Sequence, residues 1–358
     1  MNYKETFFFV AKCLTLSLEP GSRLGIQKQL QADSIDWDAV VKVSTAQLVF
    51  PALYCNLKRA NFLHFMPTEL VSYMEHITHL NRTRNLKIIA QAKELNTLLL
   101  ANNIIPIFLK GTGNLLEGLY EDIAERMVGD IDFIFSKEDY PKAIKVLEHE
   151  KYTSDLELVK FHWHYPRLVN INKIAAVEIH NKVLKQPYSA ILSFEQINKD
   201  AESVSNIKVA SSHNKLLNIV LPKQINDNLY HSKGICLRTV YDVFLLFKKS
   251  NGLLPKTKNK KVDKRFHNFI GCVNFLLKIE HLNNFKETNS SNKYLSNYIA
   301  VLNKSKKEAL KIQILNTLVK VKEELNMLRF SFISADYRVY VLKRLTSLAF
   351  YKRRFGIK

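Results

Sequence analysis

The sequence predicts an α+β protein in which a small mixed sheet, within residues 104–190, lies between a helical region, 1–103, and a helical lobe, 191–358. The chain has 358 residues, enough for two or three domains. Hydrophobic residues make up 47% of it, which is ample for packed cores. Apolar residues recur at helical spacing in the two outer parts and form short β-branched runs between them.

The first region reads as a series of helices. Asp36 is placed to cap a helix, and Pro51 is expected to kink or restart it. A longer helix is expected from about Pro67 to Leu100, ending at Asn102.

Short apolar runs bounded by turn residues predict the sheet. The expected elements are a strand at Ile104–Leu109, a turn at Gly111–Gly113, a helix from Asn114, a strand at Asp130–Phe135, a helix from Lys137 capped by Ser136, and strands at Phe161–Asn170 and Ile174–His180. Helices then return at His213–Val220, Asn226–Lys248, Arg265–Ile279 and about Lys304–Leu328.

Localisation signals favour the cytoplasm. The first apolar stretch is short and carries Lys12, so it predicts an amphipathic helix and not a signal peptide. No segment approaches about 18 uninterrupted apolar residues, so no transmembrane span is expected. The cysteines are widely spaced and form no CxxC pair, which argues against a zinc site or a disulfide framework.

The formal net charge of +20 attracts polyanions: nucleic acid, nucleotides or an anionic membrane. A lysine-rich proteome would give the same charge without any such partner. The lysine-rich segment 248–265, expected to be a mobile loop, and the tail with Arg353 and Arg354 are open to the same alternatives: RNA, anionic lipid or a solvated basic surface.

The motif Asp130-Ile131-Asp132 is the centre of the predicted site. In a strand, side chains two residues apart share one face, so both carboxylates would project together. Such a pair is repulsive unless a cation lies between them, and magnesium takes oxygen ligands together with substrate phosphates. The same spacing also occurs on solvated strand faces. Glu178, a polar residue in an apolar strand, is the third expected metal ligand, because a buried carboxylate needs a partner.

Residues near these carboxylates are candidates for binding phosphates. Lys110, Gly111 and Thr112 join a strand to a helix, where a point charge, close backbone approach and a hydroxyl would favour an anion. An ordinary strand-to-helix turn is the alternative. Arg126 would contact a triphosphate, or it would pair with Glu121, Glu125 or Asp130.

Several further residues are placed near a cleft. His180 shares the face of Glu178, and a hydrogen bond or simple packing is favoured over direct catalysis. His231, Arg238 and Asp242 fall near one face of a helix and would line a cleft; the alternative is a salt bridge between Arg238 and Asp242. His162 and His164 form either a metal pair or, more plainly, a partly exposed strand face.

Together these motifs resemble the poorly characterised bacterial nucleotidyltransferase family of the DNA polymerase β-like superfamily. They are also similar to abortive-infection-type nucleotidyltransferase toxins. Some 200 residues carry the resemblance, although Thr112-Gly113 stands where many members have Gly-Ser or Gly-Gly. The segments concerned are Phe50–Tyr54, Asn81–Asn85, Ile105–Gly111, Leu115–Tyr120, Arg126, Gly129–Phe133, Val177–His180, His231 and Leu237–Asp242.

The resemblance implies a polymerase β-like sheet and a nucleotidyl transfer that depends on two magnesium ions. Asp130, Asp132 and Glu178 would hold the ions, and Lys110, Gly111 and Thr112 would cradle the phosphates. An acceptor hydroxyl of RNA or tRNA, a protein or a small molecule would attack a nucleoside triphosphate and release pyrophosphate. The competing hypothesis is an inactive nucleotidyltransferase-like scaffold that binds RNA or a protein. Oligomeric state is left open.

Overall fold

A five-stranded mixed sheet lies between helices contributed by both ends of the chain, which confirms the predicted α+β class. The computed structural model describes residues 1–32, 34–154, 164–279, 282, 285–303, 306–333, 335–346 and 348. His162 of the predicted histidine pair lies outside these residues, and so do the tail residues Arg353 and Arg354.

The amino-terminal region is helical, as predicted. Asp36 accepts a hydrogen bond from the Ala39 amide and so caps its helix. Pro51 lies in the first turn of the next helix, where its missing N–H is tolerated, so it restarts the helix. The helices are α1 (Tyr3–Cys13), α2 (Pro20–Gln31), α3 (Trp37–Ala46), α4 (Phe50–Arg59) and α5 (Thr68–Ala101).

Helix α5 buries amide side chains that hold neighbouring loops. Asn81 donates to the carbonyl of Ala124 at 2.7 Å. Asn85 donates to the carbonyls of Ile123 at 2.6 Å and Arg126 at 2.7 Å. Ile123 and Ala124 belong to a short 3-10 helix (Ile123–Glu125) and Arg126 follows it, so the amides supply hydrogen-bond partners to carbonyls at the end of a very short helix. The loop that carries Arg126 is therefore fixed from α5.

The sheet has the strand order β3-β2-β1-β5-β4. Its strands are β1 (Ile107–Phe108), β2 (Asp130–Ile134), β3 (Ala176–His180), β4 (Glu202–Val204) and β5 (Ile207–Val209). Strands β2 and β3 are parallel, and their register sets Asp132 beside Glu178. Strand β1 runs antiparallel to β2 and parallel to β5, and β4 closes the far edge antiparallel to β5.

Three predictions about the sheet need correction. Strand β1 is shorter than predicted, and α6 (Lys110–Leu116) begins at once, so Gly111–Gly113 form the first helical turn and not a separate turn. Gly113 allows this close approach, because a Cβ there would lie 2.9 Å from the Phe108 carbonyl oxygen. Strands β4 and β5, of three residues each, extend the sheet beyond residue 190, where only helices were predicted. The described part of the predicted 161–170 strand makes isolated bridges instead of a ladder.

The remaining helices also depart from the prediction: one begins at Asp139 instead of Lys137, and two, at Phe194–Lys199 and Asn289–Leu302, lie where no helix was predicted. Asn228 and Lys233 both have φ of 57°, so the predicted helix Asn226–Lys248 is interrupted. Asn259 accepts from the amides of Lys261 and Val262, so the predicted basic loop is helical from Lys260 onward. The helices are α7 (Asp139–His149), α8 (Phe194–Lys199), α9 (Ser212–Ile225), α10 (Leu229–Ser232), α11 (Leu237–Lys249), α12 (Lys260–Leu277), α13 (Asn289–Leu302), α14 (Lys306–Ile333) and α15 (Ala335–Thr346).

One continuous cluster of buried apolar side chains runs from Phe7 in α1 to Leu302 in α13. This core crosses both predicted boundaries, at residues 103 and 190. The division of the chain into three parts therefore stays a prediction. The thiols of all four cysteines are free. Within the described residues, no helix has the length and apolar character to span a bilayer.

Candidate active site

Two acidic side chains meet on one face of the sheet, next to a histidine. Asp132 and Glu178 are cross-strand neighbours in the β2–β3 register, and His180 lies two residues further along β3. One ligand atom from each of the three lies within 4.8 Å of the others. Asp132 and His180 are buried, whereas Ile131 and Phe133 point into the core on the other face. The strands therefore fix a compact group of metal-ligand type.

The Lys110 ammonium lies between the two carboxylates. Its Nζ is 2.6 Å from Asp132 Oδ1 and 3.4 Å from Glu178 Oε2. Burial would lower the pKa of Lys110, but the negative charges of Asp132 and Glu178 outweigh it and raise that pKa. Lys110 is thus a protonated internal counter-ion to the two carboxylates.

His180 is a hydrogen-bond donor to the Asp132 carboxylate and lies close to that of Glu178. Its Nε2 lies 2.9 Å from Asp132 Oδ1 and 3.6 Å from Glu178 Oε2, so Nε2 must carry the hydrogen. Burial would raise the pKa of Glu178, but this contact and the charge of Lys110 lower it. The buried Nδ1 atom has no hydrogen-bond partner among the described residues. This geometry fits a hydrogen-bonding role for His180.

Asp130 occupies the edge of the group and is partly exposed. Its Oδ1 accepts from Arg167 at 2.6 Å. Burial, with the charges of Glu178 and Asp132, raises the pKa of Asp130. Asp130 shares the strand face of Asp132, but it is not among the three side chains whose ligand atoms lie within 4.8 Å of one another. Arg167 was missed by the sequence analysis, because nothing in the local pattern ties it to a strand 37 residues away.

The predicted phosphate-binding residues have different surroundings. Gly111 lines the cavity beside the carboxylates, as Lys110 does. Thr112 is fully buried, and its hydroxyl donates to the Asp130 carbonyl at 2.8 Å. The hydroxyl of Thr112 therefore holds β2 in place. Its predicted contact with a phosphate stays a prediction.

Arg126 pairs with an acid that was not among its predicted partners. Its Nε lies 3.1 Å from Oδ2 of Asp242, and both side chains are buried. Tyr120 donates to the other oxygen of Asp242 at 2.7 Å. Burial would lower the pKa of Arg126, but the charge of Asp242 raises it. Arg238 donates to the Met127 carbonyl at 3.1 Å, so Asp242 pairs with Arg126 and not with Arg238.

A cavity of about 360 Å³ opens between the sheet and helices α9 and α11. This is within the size range of small-molecule sites. Asp130, Asp132 and Glu178 lie on one wall, and Arg126, Arg238 and Asp242 lie on another. His231 belongs to α10, which is separate from α11, and it is not among the lining residues.

Helix α9 contributes a lining residue that the sequence analysis missed. Asn218 is buried in the cavity wall, and both polar atoms of its amide lack hydrogen-bond partners within the described chain. A buried amide without partners costs about 1–3 kcal/mol per group, so a bound molecule that supplies them is favoured. A polar residue in the middle of an otherwise apolar run, NKLLNIVLP, was the available signal.

Comparisons with curated proteins and with solved structures gave no match. A family model described as uncharacterised nucleotidyltransferase matches residues 33–278, which include the whole sheet, the carboxylate group and helices α9 and α11. That match covers more than half of the 358-residue chain, and the chain therefore belongs to this nucleotidyltransferase family.

Proposed function

We propose that the protein is a magnesium-dependent nucleotidyltransferase, which transfers a nucleoside monophosphate from a triphosphate to an acceptor hydroxyl and releases pyrophosphate. The observation that supports this best is the convergence of Asp132 and Glu178 inside a cavity, with Asp130 at its edge. Membership of a nucleotidyltransferase family agrees with that chemistry.

The donor atoms of the cluster fit magnesium. Asp130, Asp132 and Glu178 offer the oxygen ligands that a hard divalent ion prefers, and they would hold two ions. Bound magnesium would stabilise the charge of the reacting phosphoryl group and activate the acceptor hydroxyl. Metal-binding histidines usually donate their second ring N–H to an acceptor, which Nδ1 of His180 lacks. We therefore assign His180 to orienting Asp132 and not to the metal.

Other side chains would bind and orient the triphosphate. The Lys110 ammonium would turn from the carboxylates to the phosphates, because both partners are anionic and only a side-chain rotation is required. The backbone at Gly111 allows close approach, and Arg126 and Arg238 add positive charge to the same cavity. Asn218 would satisfy its amide on the base, ribose or acceptor. Positioning of the acceptor for in-line attack would supply much of the rate enhancement.

The acceptor that we favour is RNA, since the chain carries a net charge of +20. A protein hydroxyl and a small molecule are the other acceptor classes. If the preference is right, bulk RNA should bind at about 50 mM salt and dissociate as salt rises, because phosphate contacts release counter-ions. Absence of binding at that salt concentration would rule RNA out. We place the protein in the cytoplasm, on its widely spaced cysteines.

An inactive scaffold that binds RNA or a protein is the second candidate. The observation that favours it is the Lys110 ammonium, an internal cation that offsets one of the two negative charges of Asp132 and Glu178. In a scaffold that ion pair would be permanent, whereas in an enzyme it would open when magnesium and nucleotide bind.

The experiment that separates the two candidates follows label transfer from each α-labelled nucleoside triphosphate, with magnesium, to RNA, protein and small-molecule fractions. Wild-type protein should label one fraction and release pyrophosphate, and Asp132→Asn should not. Calorimetry of nucleotide binding with and without magnesium is the second measurement. Equal inactivity of wild type and Asp132→Asn, with no magnesium-dependent nucleotide binding, would leave the scaffold as the function.

A further inference from the structure

Helix α14 has two apolar faces, and the described residues of the chain cover only one of them. Ile312, Leu315 and Val319 are half-buried on the side that faces the rest of the chain, where α10, α13 and α15 contact α14. A second row lies on the outer side. Its members are between 44% and 83% exposed: Ile314, Leu318, Val321, Leu325, Leu328 and Phe332. We call these six side chains the outer stripe.

The outer stripe follows a heptad repeat. Its members are separated alternately by four and three residues, with Leu318, Leu325 and Phe332 at the a positions and Ile314, Val321 and Leu328 at the d positions. At 1.5 Å per residue the stripe is about 27 Å long. The repeat ends at Ile314, because the preceding a position is Lys311; the exposed Leu310, Phe330 and Ile333 lie off this register.

The width of the outer stripe favours a helical partner over a lipid surface. The exposed positions that border it are polar or charged, as at Gln313, Thr317, Lys320, Lys322 and Arg329. A seam limited to a and d positions is narrow and suits one facing helix, whereas a helix that lies in a bilayer interface has a broad apolar face. An outer stripe of this length would also be costly to leave in water.

The charges beside the outer stripe fit a second copy of this chain in parallel orientation. Glu324 is at a g position, and Arg329, five residues later, is at the next e position. In a parallel pair the g residue of one helix faces that e residue of the other, so twofold symmetry would give two attractive contacts. An antiparallel pair would instead bring the basic e positions, Lys322 and Arg329, towards each other.

We propose that two copies of the protein associate through α14, with the outer stripes of the two helices packed in parallel. Leucine at two of the three a positions and a β-branched residue at two of the three d positions favour bundles of more than two helices. Helix α15 supplies the additional helix of each copy, since its Val339, Leu342 and Leu345 are also exposed and it packs on α14. The contact lies beyond the residues matched by the family model and apart from the cavity, so it is independent of the proposed function.

The first test compares Leu325→Asp with Lys320→Asp, a matched control because the same charge is placed on the same helix but off the outer stripe. Wild type and Lys320→Asp should be dimers by sedimentation equilibrium, and Leu325→Asp should dimerise at least about a hundredfold more weakly, because it would bury an unpaired charge. A monomeric wild type, or a dimer that Leu325→Asp leaves intact, would overturn the proposal. Circular dichroism checks that each variant is folded.

The second test fixes the orientation. Leu328→Cys, at a d position, should form an intermolecular disulfide on mild oxidation, since d side chains face each other in a parallel pair; Lys320→Cys should not. Glu324→Lys should weaken the dimer, and Arg329→Glu added to it should restore binding. A dimer without the Leu328→Cys cross-link contradicts parallel packing. A monomer that binds vesicles of anionic lipid through Leu325 would replace the second copy with a membrane.

Discussion

The cavity wall formed by β2 and β3 and the outer stripe of α14 depart from the usual distribution of residues in opposite directions. The wall buries charge: Asp132 and Glu178 are held against Lys110 and His180. The outer stripe exposes apolar side chains on a helix whose other face is packed. Each departure raises the free energy of the isolated chain, and each would be relieved by a different binding partner. Cations and phosphates would bind at the cavity wall, and an apolar helix would cover the outer stripe.

The largest expected effect is a loss of nucleotidyl transfer that follows a change in the cavity wall but not a change in the outer stripe. Asp132→Asn should lower kcat for nucleotidyl transfer by about a thousandfold, because it removes charge at the position where the metal would lie. Leu325→Asp should leave kcat within about twofold. Steady-state kinetics with the labelled triphosphate measures both. If Leu325→Asp lowered kcat as strongly as Asp132→Asn, the cavity and the outer stripe would not be separate functional regions.

The second effect concerns the buried ion pair behind the cavity. Asp242→Asn should lower the free energy of unfolding by about 3–5 kcal/mol, because it leaves the Arg126 guanidinium buried without a counter-ion. Urea denaturation measures the change. Lys142→Ala, which breaks an exposed pair with Asp139, is the control and should cost less than about 1 kcal/mol. Equal costs for the two variants would mean that Arg126 finds another partner.

A smaller effect should appear in metal affinity. Lys110→Met should tighten Mn²⁺ binding in the absence of nucleotide by about tenfold or more, because a hydrogen bond between charged groups contributes about 1.5–3 kcal/mol. Electron paramagnetic resonance of free Mn²⁺ gives the affinity. Arg167→Met, which frees only Asp130 at the edge, should change it less. Weaker Mn²⁺ binding by Lys110→Met would mean that the lysine supports the site and does not compete for it.

The smallest effect depends on pH. Arg82 holds Asp122 with two contacts, of 3.1 and 2.6 Å. Burial would raise the pKa of Asp122, but Arg82 and the Ala124 amide lower it. A carboxyl with a lowered folded-state pKa stabilises the protein above its ordinary value near 4, and this contribution is lost as pH falls through the lowered value.

Arg82→Gln should therefore cost about 0.5–1 kcal/mol at pH 7. The difference from wild type should shrink as the pH is lowered below about 4. Urea titrations at a series of pH values would measure it. A difference that stayed constant in acid would assign the role of Arg82 to packing.

The strand face that carries the carboxylates was easier to predict from sequence than the residues that contact it. Alternation along a strand was enough to place Asp130 and Asp132 together, and one polar residue in an apolar strand pointed to Glu178. The partners of Arg126 and Asp130 could not be predicted, since Asp242 and Arg167 come from distant segments. Strands β4 and β5 were missed because three residues carry too little periodicity. The helix at α14 was predicted, but which of its two apolar faces is covered depends on tertiary packing.

The asparagines of α5 have a consequence for how the chain can be divided. Asn81 and Asn85 donate to backbone carbonyls at residues 123–126, so the loop that carries Arg126 is anchored to a helix outside the sheet. A fragment limited to residues 104–190 would lose these anchors as well as β4 and β5. Truncation at the predicted boundaries would thus dismantle the cavity, and the catalytic unit must be expressed with its amino-terminal helices attached.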